Sequence, residues 1–490
     1  MKASEISRLK SDPILKAIYD AANAVEVKAY LVGGVLRNLV LSEPLGFDYD
    51  IALNGMAGGA ANFLARMLKG SAFLLDKEHG AYRVVVKTGC GRCPHPTLHP
   101  PCFNIDLSPY KGKDIFEDLK NRDFTINAMA LDISALFTES EVELLDNFNG
   151  QTDAKKKTIR MVQPAVFDDD PLRLLRAVRL SAQYNLVIEQ ETERVLKAKA
   201  NLLTKSAWER IRDEFFAILS CPDSAIYMKM LYELGLLRAI LPEIKVWEYL
   251  SGYDLLAHLL KTLEHGERLC NNLRNFAPEF ADDIENEFQM ALGNVAIRGL
   301  LKLALFFHDA GKPATMKMEE ERIRFIGHEV EGEIISRRLG RRLKLSRSAV
   351  SFIARLVRNH HRVFNLASLE KITDRSKAHL FRAAGKSEGL FLLLLALADA
   401  RATRGGEDPE LAMLVKDLIS FYYKVYAVKK PKPLLNGDEV MKIFNVPEGI
   451  MVGRILRKLS EAEGAGMIKN KRGAVKFIKS WLKGSEEGKL

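Results

Sequence analysis

The chain has 490 residues, 47% hydrophobic and 28% charged, with a formal net charge of +10 and five cysteines. That length exceeds what one compact core sustains, so roughly two to four domains are expected, and the composition is that of a globular chain, not a disordered or fibrous one. The longest apolar run, residues 389–400, is too short to span a bilayer, and an odd cysteine count behind a charged, amphipathic N-terminal stretch points to a reduced cytoplasm.

Residues 28–135 alternate between short strand-like runs and helical runs. KAYLVGG, FDYDIAL, AYRVVVK and CFNIDLS read as strands, and VLRNLVLS and GAANFLARMLKG as helices, which makes an α/β module. In FDYDIAL, Asp48 and Asp50 stand one residue apart, so a strand points both carboxylates the same way. Two adjacent carboxylates repel unless something positive sits between them. A same-face pair is what a two-Mg²⁺ phosphoryl-transfer site uses, because hard oxygen ligands hold the ions that clamp attacking and leaving oxygens. Ahead of it, Gly33 and Gly34 let backbone approach a ligand closely, and a helix N-terminus follows them. Asp106, in FNIDLS, is either a third carboxylate or an ordinary strand-end acid.

Between those strands, CGRCPHPTLHPPC holds Cys90, Cys93, His95, His99 and Cys102. The spacing suits a tetrahedral structural Zn²⁺, while four prolines suit a stiff exposed loop. Next, LKNRDFTINAMALDI contributes Arg122, Asp123 and Asn127. From about residue 165 the strand signal ends and the chain reads as helical. There DDDPLRLLRAVRL sets Asp170, Arg173, Arg176 and Arg179 three residues apart along one expected helix. Three arginines on a helix face are ordinarily a salt-bridged surface; an acid at the helix start is unusual for one.

At this point the residues carry a resemblance. LVGGVLRN…FDYDIAL, NRDFTINAMALD and DDPLRLLRAVRLSAQYNL, in that order, resemble the bacterial class II tRNA nucleotidyltransferases and their poly(A) polymerase relatives. The resemblance implies a polymerase-beta-like head sheet with helices, in which Asp48 and Asp50 bind Mg²⁺, with Asp106 as a further catalytic carboxylate. Gly33, Gly34 and Arg37 would contact the triphosphate. Arg122, Asp123 and Asn127 would lie near ribose and phosphates. Asp170 and Arg173 would pair with the incoming base, and Arg176 and Arg179 would complete the pocket. A carboxylate accepting from an exocyclic amine beside a guanidinium donating to the ring selects C or A over U or G. The chain departs from the family at Asn38, Asn121 and Asp169, where Asp, Arg and Glu are usual.

Further along, His258, His308, Asp309, His328, His360 and Asp399 follow in the order of an HD phosphohydrolase domain, which the chain is similar to there. The resemblance implies that His258, His308, Asp309 and Asp399 are primary ligands of a divalent ion such as Mn²⁺, Ni²⁺ or Mg²⁺, with His328 and His360 supplying a second site. Taken singly, each histidine is an ordinary core or surface residue. Residues 429–490 carry 14 Lys and Arg against 7 Asp and Glu, a basic tail suited to an RNA backbone or simply to capping the helical body.

The expected organisation is a head over 1–150, a helical neck over 151–245, an HD domain over 246–435 and a tail over 436–490. The expected activity is Mg²⁺-dependent, template-independent addition of C and/or A to tRNA 3′ ends from CTP and ATP, with no membrane partner. Poly(A) addition to RNA 3′ ends, or HD phosphohydrolysis with an idle head, are the alternatives. Oligomeric state and base preference stay open.

Overall fold

The computed structural model describes residues 3–87, 102–139, 141–248, 254–319, 322–385, 387–427, 434–464, 468 and 470–486. The chain divides into two compact units: residues 1–249 with 289–295 and 341–345, and residues 250–288 with 296–340 and 346–490.

The first unit is built on a seven-stranded mixed sheet in the order β3-β4-β5-β2-β1-β6-β7. The strands are β1 (Ala29–Val32), β2 (Asp48–Leu53), β3 (Ser71–Asp76), β4 (Ala81–Lys87), β5 (Cys102–Pro109), β6 (Ala130–Asp132) and β7 (Leu144–Leu145). The β2–β5 contact is parallel and the other described pairings are antiparallel. Strand periodicity sorts the side chains. Leu31, Ile51, Leu53, Ile105 and Leu107 face one core with Leu15, Ile18, Ala61 and Leu64, which come from the helices Pro13–Ala24 and Ala57–Met67. Tyr30, Val32 and Ala52 face the other way, against Ile115 and Leu119. Asp48 and Asp50 share the face of Ala52, so the carboxylates stand on the side opposite the main core. Strands β3, β6 and β7 carried too little pattern to be read from sequence: β3 is an exposed edge without alternation, and β6 and β7 span three and two residues.

Helices take over after the sheet, with one correction. The expected continuous helix through Asp170 is broken: a short helix, Val166–Asp169, is followed by Asp170 in an extended conformation, and a second helix runs over Arg173–Tyr184. Pro171 is the cause, since the residue before a proline is driven out of the helical region.

The second unit packs the helices Leu255–Asn271, Ile297–Phe307, His328–Arg342 (to residue 340), Arg347–Asn359 and Glu388–Arg404. Residues 389–400 are buried throughout, as their apolar run requires, and no helix among the described residues is long and apolar enough to cross a membrane. Three further helices, Gly437–Phe444, Ile450–Gly464 and Lys471–Glu486, close on a core of their own that includes Val440, Ile455, Leu459 and Ile478.

The region expected to be wholly helical also holds short strand pairs: Val187–Ile188 beside Thr158–Ile159, Ala291–Leu292 with Val295–Ala296, and Lys317–Glu319 with Arg322–Arg324. Each is only two or three residues long, below the length at which alternation shows. The second closes on a Gly-Asn turn with Gly293 at φ 75°.

Candidate functional site

In the first unit, β2 and β5 run parallel in a register that sets Asp50 beside Asp106 and Asp48 beside Asn104. All three expected carboxylates therefore share one sheet face. The turn from β1 into the helix Gly34–Val40 closes over this face. Gly33 has φ 71°, and a Cβ there would lie 2.5 Å from Asp50 Oδ2, so a glycine is required on both counts. The Gly34 amide donates to the Asp50 carboxylate. Burial pushes the Asp50 carboxyl above its ordinary range, outweighing the nearby Arg122 and Arg176 guanidiniums. Asp48 is exposed and accepts from Asn104 Nδ2 at 2.8 Å. Asp106 is held by Arg83 of β4, a residue that sequence reading passed over. Paired carboxylates on a strand, one enclosed and one open, fit a divalent cation.

A buried polar chain joins the remaining head residues. Arg37, 7% exposed, donates Nη1 to Asn127 Oδ1 (2.9 Å) and Nη2 to the Tyr184 hydroxyl (2.7 Å), and its guanidinium lies over the Tyr184 ring. Asn127 Nδ2 donates to Asp123 Oδ1 (3.0 Å). Asp123 Oδ2 lies 2.9 Å from Arg176 Nε, an ion pair rather than an aligned hydrogen bond. Burial alone would raise the Asp123 carboxyl, but Arg176, with Asn127 and Arg173 in support, holds it below the usual range. Arg179 bonds Glu214 (2.7 Å) and Gln183, and Arg122 bonds Asp118. The Tyr184 and Arg176 contacts join the helix Arg173–Tyr184 to the helix Gly34–Val40 and to the turn after the helix Ile115–Lys120.

The Asp170 and Arg173 side chains turn to different partners. Asp170 accepts from Arg210 Nη2 at 2.8 Å, while Arg173 Nη1 donates to the Val166 carbonyl at 3.1 Å. The unusual residues have local explanations. Asn38 accepts twice from Arg37 and donates to the Pro44 carbonyl, which the usual Asp cannot do, and so leaves the guanidinium charge uncompensated by that neighbour. Asn121 Nδ2 caps the preceding helix through the Glu117 carbonyl. Asp169 is exposed. Arg83, Tyr184 and Arg210 escaped sequence reading because their partners lie 23, 147 and 40 residues away.

In the second unit, all six expected histidine and aspartate ligands come together, and His361 joins them. His258 and His308 place Nε2 3.2 Å apart, 3.3 and 3.2 Å from Asp309 Oδ2, and 3.3 and 3.6 Å from Asp399 Oδ1. The other Asp309 oxygen lies 3.2 Å from His328 Nε2 and 3.5 Å from His360 Nε2, and His361 Nε2 is 3.2 Å from that of His328. Asp309 thus faces two ligand groups, one with each oxygen. The rings are aimed by one repeated device: Nδ1 of His308, His328 and His360 bonds the carbonyl three residues back, at Leu305, Phe325 and Val357, leaving Nε2 for the centre. That is the outer contact typical of metal-bound imidazole. Ligand-to-ligand spacings near 3.2 Å match the edges of a coordination shell with bonds of about 2.1 Å. Two three-residue groups, His258–His308–Asp309 and His328–His360–His361, are compact enough to hold an ion.

Without an ion the charges balance among themselves. Burial would lower the His308 imidazole, but Asp309 and Asp399 together lift it to about 10, and burial with His360 and His328 pushes His361 down to about 4. Lys312 Nζ, 2.5 Å from Asp309, is a further residue that sequence reading missed. A cavity of about 1020 Å³ opens on the cluster, lined by Lys312, Arg324, Arg404 and apolar side chains including Phe325 and Phe364. Cys90, Cys93, His95 and His99 lie outside the described residues, and of Cys102 only the backbone is described.

Three family models match the chain: a poly(A) polymerase head domain over residues 29–160, a probable RNA- and SrmB-binding site of polymerase A over 185–248, and an HD domain over 255–416. An A-adding tRNA nucleotidyltransferase of Deinococcus radiodurans is 32% identical, covering 92% of this chain and 95% of its own length. A CC-adding enzyme of Thermus thermophilus is 30% identical, over 94% of each chain. Among solved structures, a CCA-adding enzyme in its apo form aligns with a TM-score of 0.62 at 20% identity, covering 98% of this chain and 97% of that one. A Thermotoga maritima CCA-adding enzyme complexed with tRNA aligns at 0.58 and 22%, over 97% and 98%. At such identities these likenesses show the fold.

Proposed function

The chain belongs to the tRNA nucleotidyltransferase and poly(A) polymerase family, with an HD domain in its second half, and from that premise we propose that it adds C and/or A to the 3′ end of tRNA, taking CTP and ATP. The observation that carries the proposal is the enclosed Asp50 beside Asp48, under a Gly33 turn that leaves no room for a side chain. Asp48 and Asp50 would hold Mg²⁺, which would lower the pKa of the attacking hydroxyl and stabilise departing pyrophosphate.

The tRNA 3′-hydroxyl attacks the α-phosphate in line, the bond to the β-phosphate breaks, and the chain lengthens by one nucleotide. The Gly34 end of the helix and the charged Arg122 and Arg176 side chains offset the triphosphate charge. Arg37 holds Asn127 and Tyr184, and so fixes the buried polar chain that runs on to Asp123. Asp170 and Arg173 read the base edge once Asp170 exchanges Arg210 for the exocyclic amine. The basic tail tracks the RNA backbone. A cytoplasmic location follows from a substrate made and used there. Relatives named for A addition and for CC addition are similar to the chain, so the number of residues added is left for experiment to read.

A second reading, phosphoester hydrolysis at the HD cluster, is favoured by the cavity that opens on Asp309 beside Lys312, Arg324 and Arg404. Imidazole and carboxylate ligands suit Mn²⁺ or Ni²⁺ as well as Mg²⁺. A structural Zn²⁺ on Cys90, Cys93, His95, His99 and Cys102 remains a proposal from the sequence alone. The two activities separate by substitution. Asp50→Ala is expected to abolish nucleotide incorporation while sparing hydrolysis of a generic phosphodiester, and His308→Ala the reverse. Incorporation by Asp50→Ala at the wild-type rate overturns the head reading.

A further inference from the structure

The third carboxylate of the head face, Asp106, has both oxygens engaged. Arg83 stands opposite it in the β4–β5 register and places Nε 2.6 Å from Oδ1 and Nη2 2.6 Å from Oδ2. On the other side of β5, Asp50 occupies the matching register position, with Asp48 two residues before it. The guanidinium thus lies in the field of three carboxylates, and its charged form is favoured first by Asp106 and then by Asp48 and Asp50. A divalent cation that uses Asp106 together with the β2 pair has to take an oxygen from Arg83.

The magnitudes favour that exchange. The Arg83 and Asp106 side chains are 35% and 28% exposed. Water screens a pair that open, so its bidentate geometry makes it stronger than an ordinary exposed pair yet leaves it open to exchange. A cation of twice the charge, bound by two or three carboxylates at once, wins the competition. Arg83 stays tethered to β4 at the edge of the site, and a freed guanidinium fork matches two phosphate oxygens as well as it matched a carboxylate.

We propose that Arg83 competes with the divalent cation for Asp106 and, once displaced, binds the incoming nucleotide by donating to its phosphates. This rests on the reading of Asp48 and Asp50 as a cation site. It makes nucleotide and cation binding mutually supportive, because each draws away one partner of the same ion pair. The order of events also matters: with Arg83 on Asp106, a cation alone binds less well than the carboxylate count suggests.

The test is Mn²⁺ binding to the full chain, followed by electron paramagnetic resonance without RNA, in a His308→Ala and His328→Ala background that removes ions from the second unit. Arg83→Gln is expected to bind Mn²⁺ about tenfold more tightly, the scale on which a neighbouring guanidinium shifts a carboxylate. Asp106→Asn is expected to bind it more weakly, and Arg83→Gln to have no effect once Asp106 is Asn. The KM for nucleotide should rise severalfold in Arg83→Gln while Mn²⁺ affinity improves, a split that a merely structural residue does not produce. Arg83→Lys, which keeps the charge without the fork, should fall between, and serves if the Gln variant melts early. Unchanged or weaker Mn²⁺ affinity in Arg83→Gln overturns the proposal. Equal Mn²⁺ binding by the parent and by Asp50→Asn overturns the cation-site reading instead, so the two failures are distinguishable.

Discussion

Gly33→Ala tests how tightly the head is built. Gly33 sits at φ 71° and ψ −131°, a region in which an L side chain is strained by about 1–3 kcal/mol. Space is the second cost. The new Cβ would lie 2.5 Å from Asp50 Oδ2, against an ordinary contact of 3.4 Å or more, so the carboxylate must recede by roughly 0.9 Å. Asp50 cannot do so without loosening its bond from the Gly34 amide. A displacement of about 1 Å at a reacting centre costs about a hundredfold in rate, and the strain alone should lower Tm by about 2–10 °C. Gly80→Ala is the control: Gly80 has φ 62°, but its nearest neighbour is Pro109 Cγ at 3.8 Å, so it carries strain without the clash. Single-turnover addition to a tRNA transcript that the wild-type chain extends, beside thermal melts of both variants, reads the two effects apart. A Gly33→Ala enzyme within threefold of wild type would refute the packing argument.

Arg37→Lys leaves the Asn127 and Tyr184 oxygens short of the donors that a lysine on a shorter reach cannot replace together. It should cost about 2–4 kcal/mol, read as a lower Tm in urea or heat; a melt within 1 °C of wild type contradicts it. In protein stripped with EDTA, the raised His308 pKa means that the imidazolium stabilises the fold. That contribution is fully present below about 6.5, the unfolded value, and is lost as pH climbs toward about 10. The EDTA-treated chain should therefore lose Tm across that window relative to His308→Gln, and a flat difference would contradict it. By the same linkage, Mn²⁺ or Ni²⁺ loading at neutral pH should release protons, measurable by calorimetry in two buffers of different ionisation enthalpy.

What could be read from the sequence was what local periodicity carries. Asp48 and Asp50 declare themselves because a strand alternates with a period of two, and the buried helix at 389–400 because its apolar run is unbroken up to Asp399. His308 and Asp309 are legible through their place in the His and Asp order of the HD resemblance, at the end of the apolar run LKLALFF. The residues that organise these groups were hidden, because their partners are distant in the chain: Arg83 for Asp106, Tyr184 for Arg37, Arg210 for Asp170. His361 was indistinguishable from a surface neighbour of His360 until the turn after Asn359 brought both rings to His328. The one-helix reading of Asp170 with Arg173 failed at Pro171, where a local rule outweighed an attractive spacing.

The most direct test of the account is extension of three tRNA transcripts, ending before CCA, after the first C and after CC. Each is incubated with Mg²⁺ and CTP, ATP or both, and resolved at single-nucleotide length. Addition of C and/or A that stops when CCA is complete, and that disappears in Asp50→Ala, is the predicted result; whether it begins before or after CC tells a full CCA-adding enzyme from one that performs a part. Unbounded ladders with ATP alone, or no extension of any transcript, would contradict it.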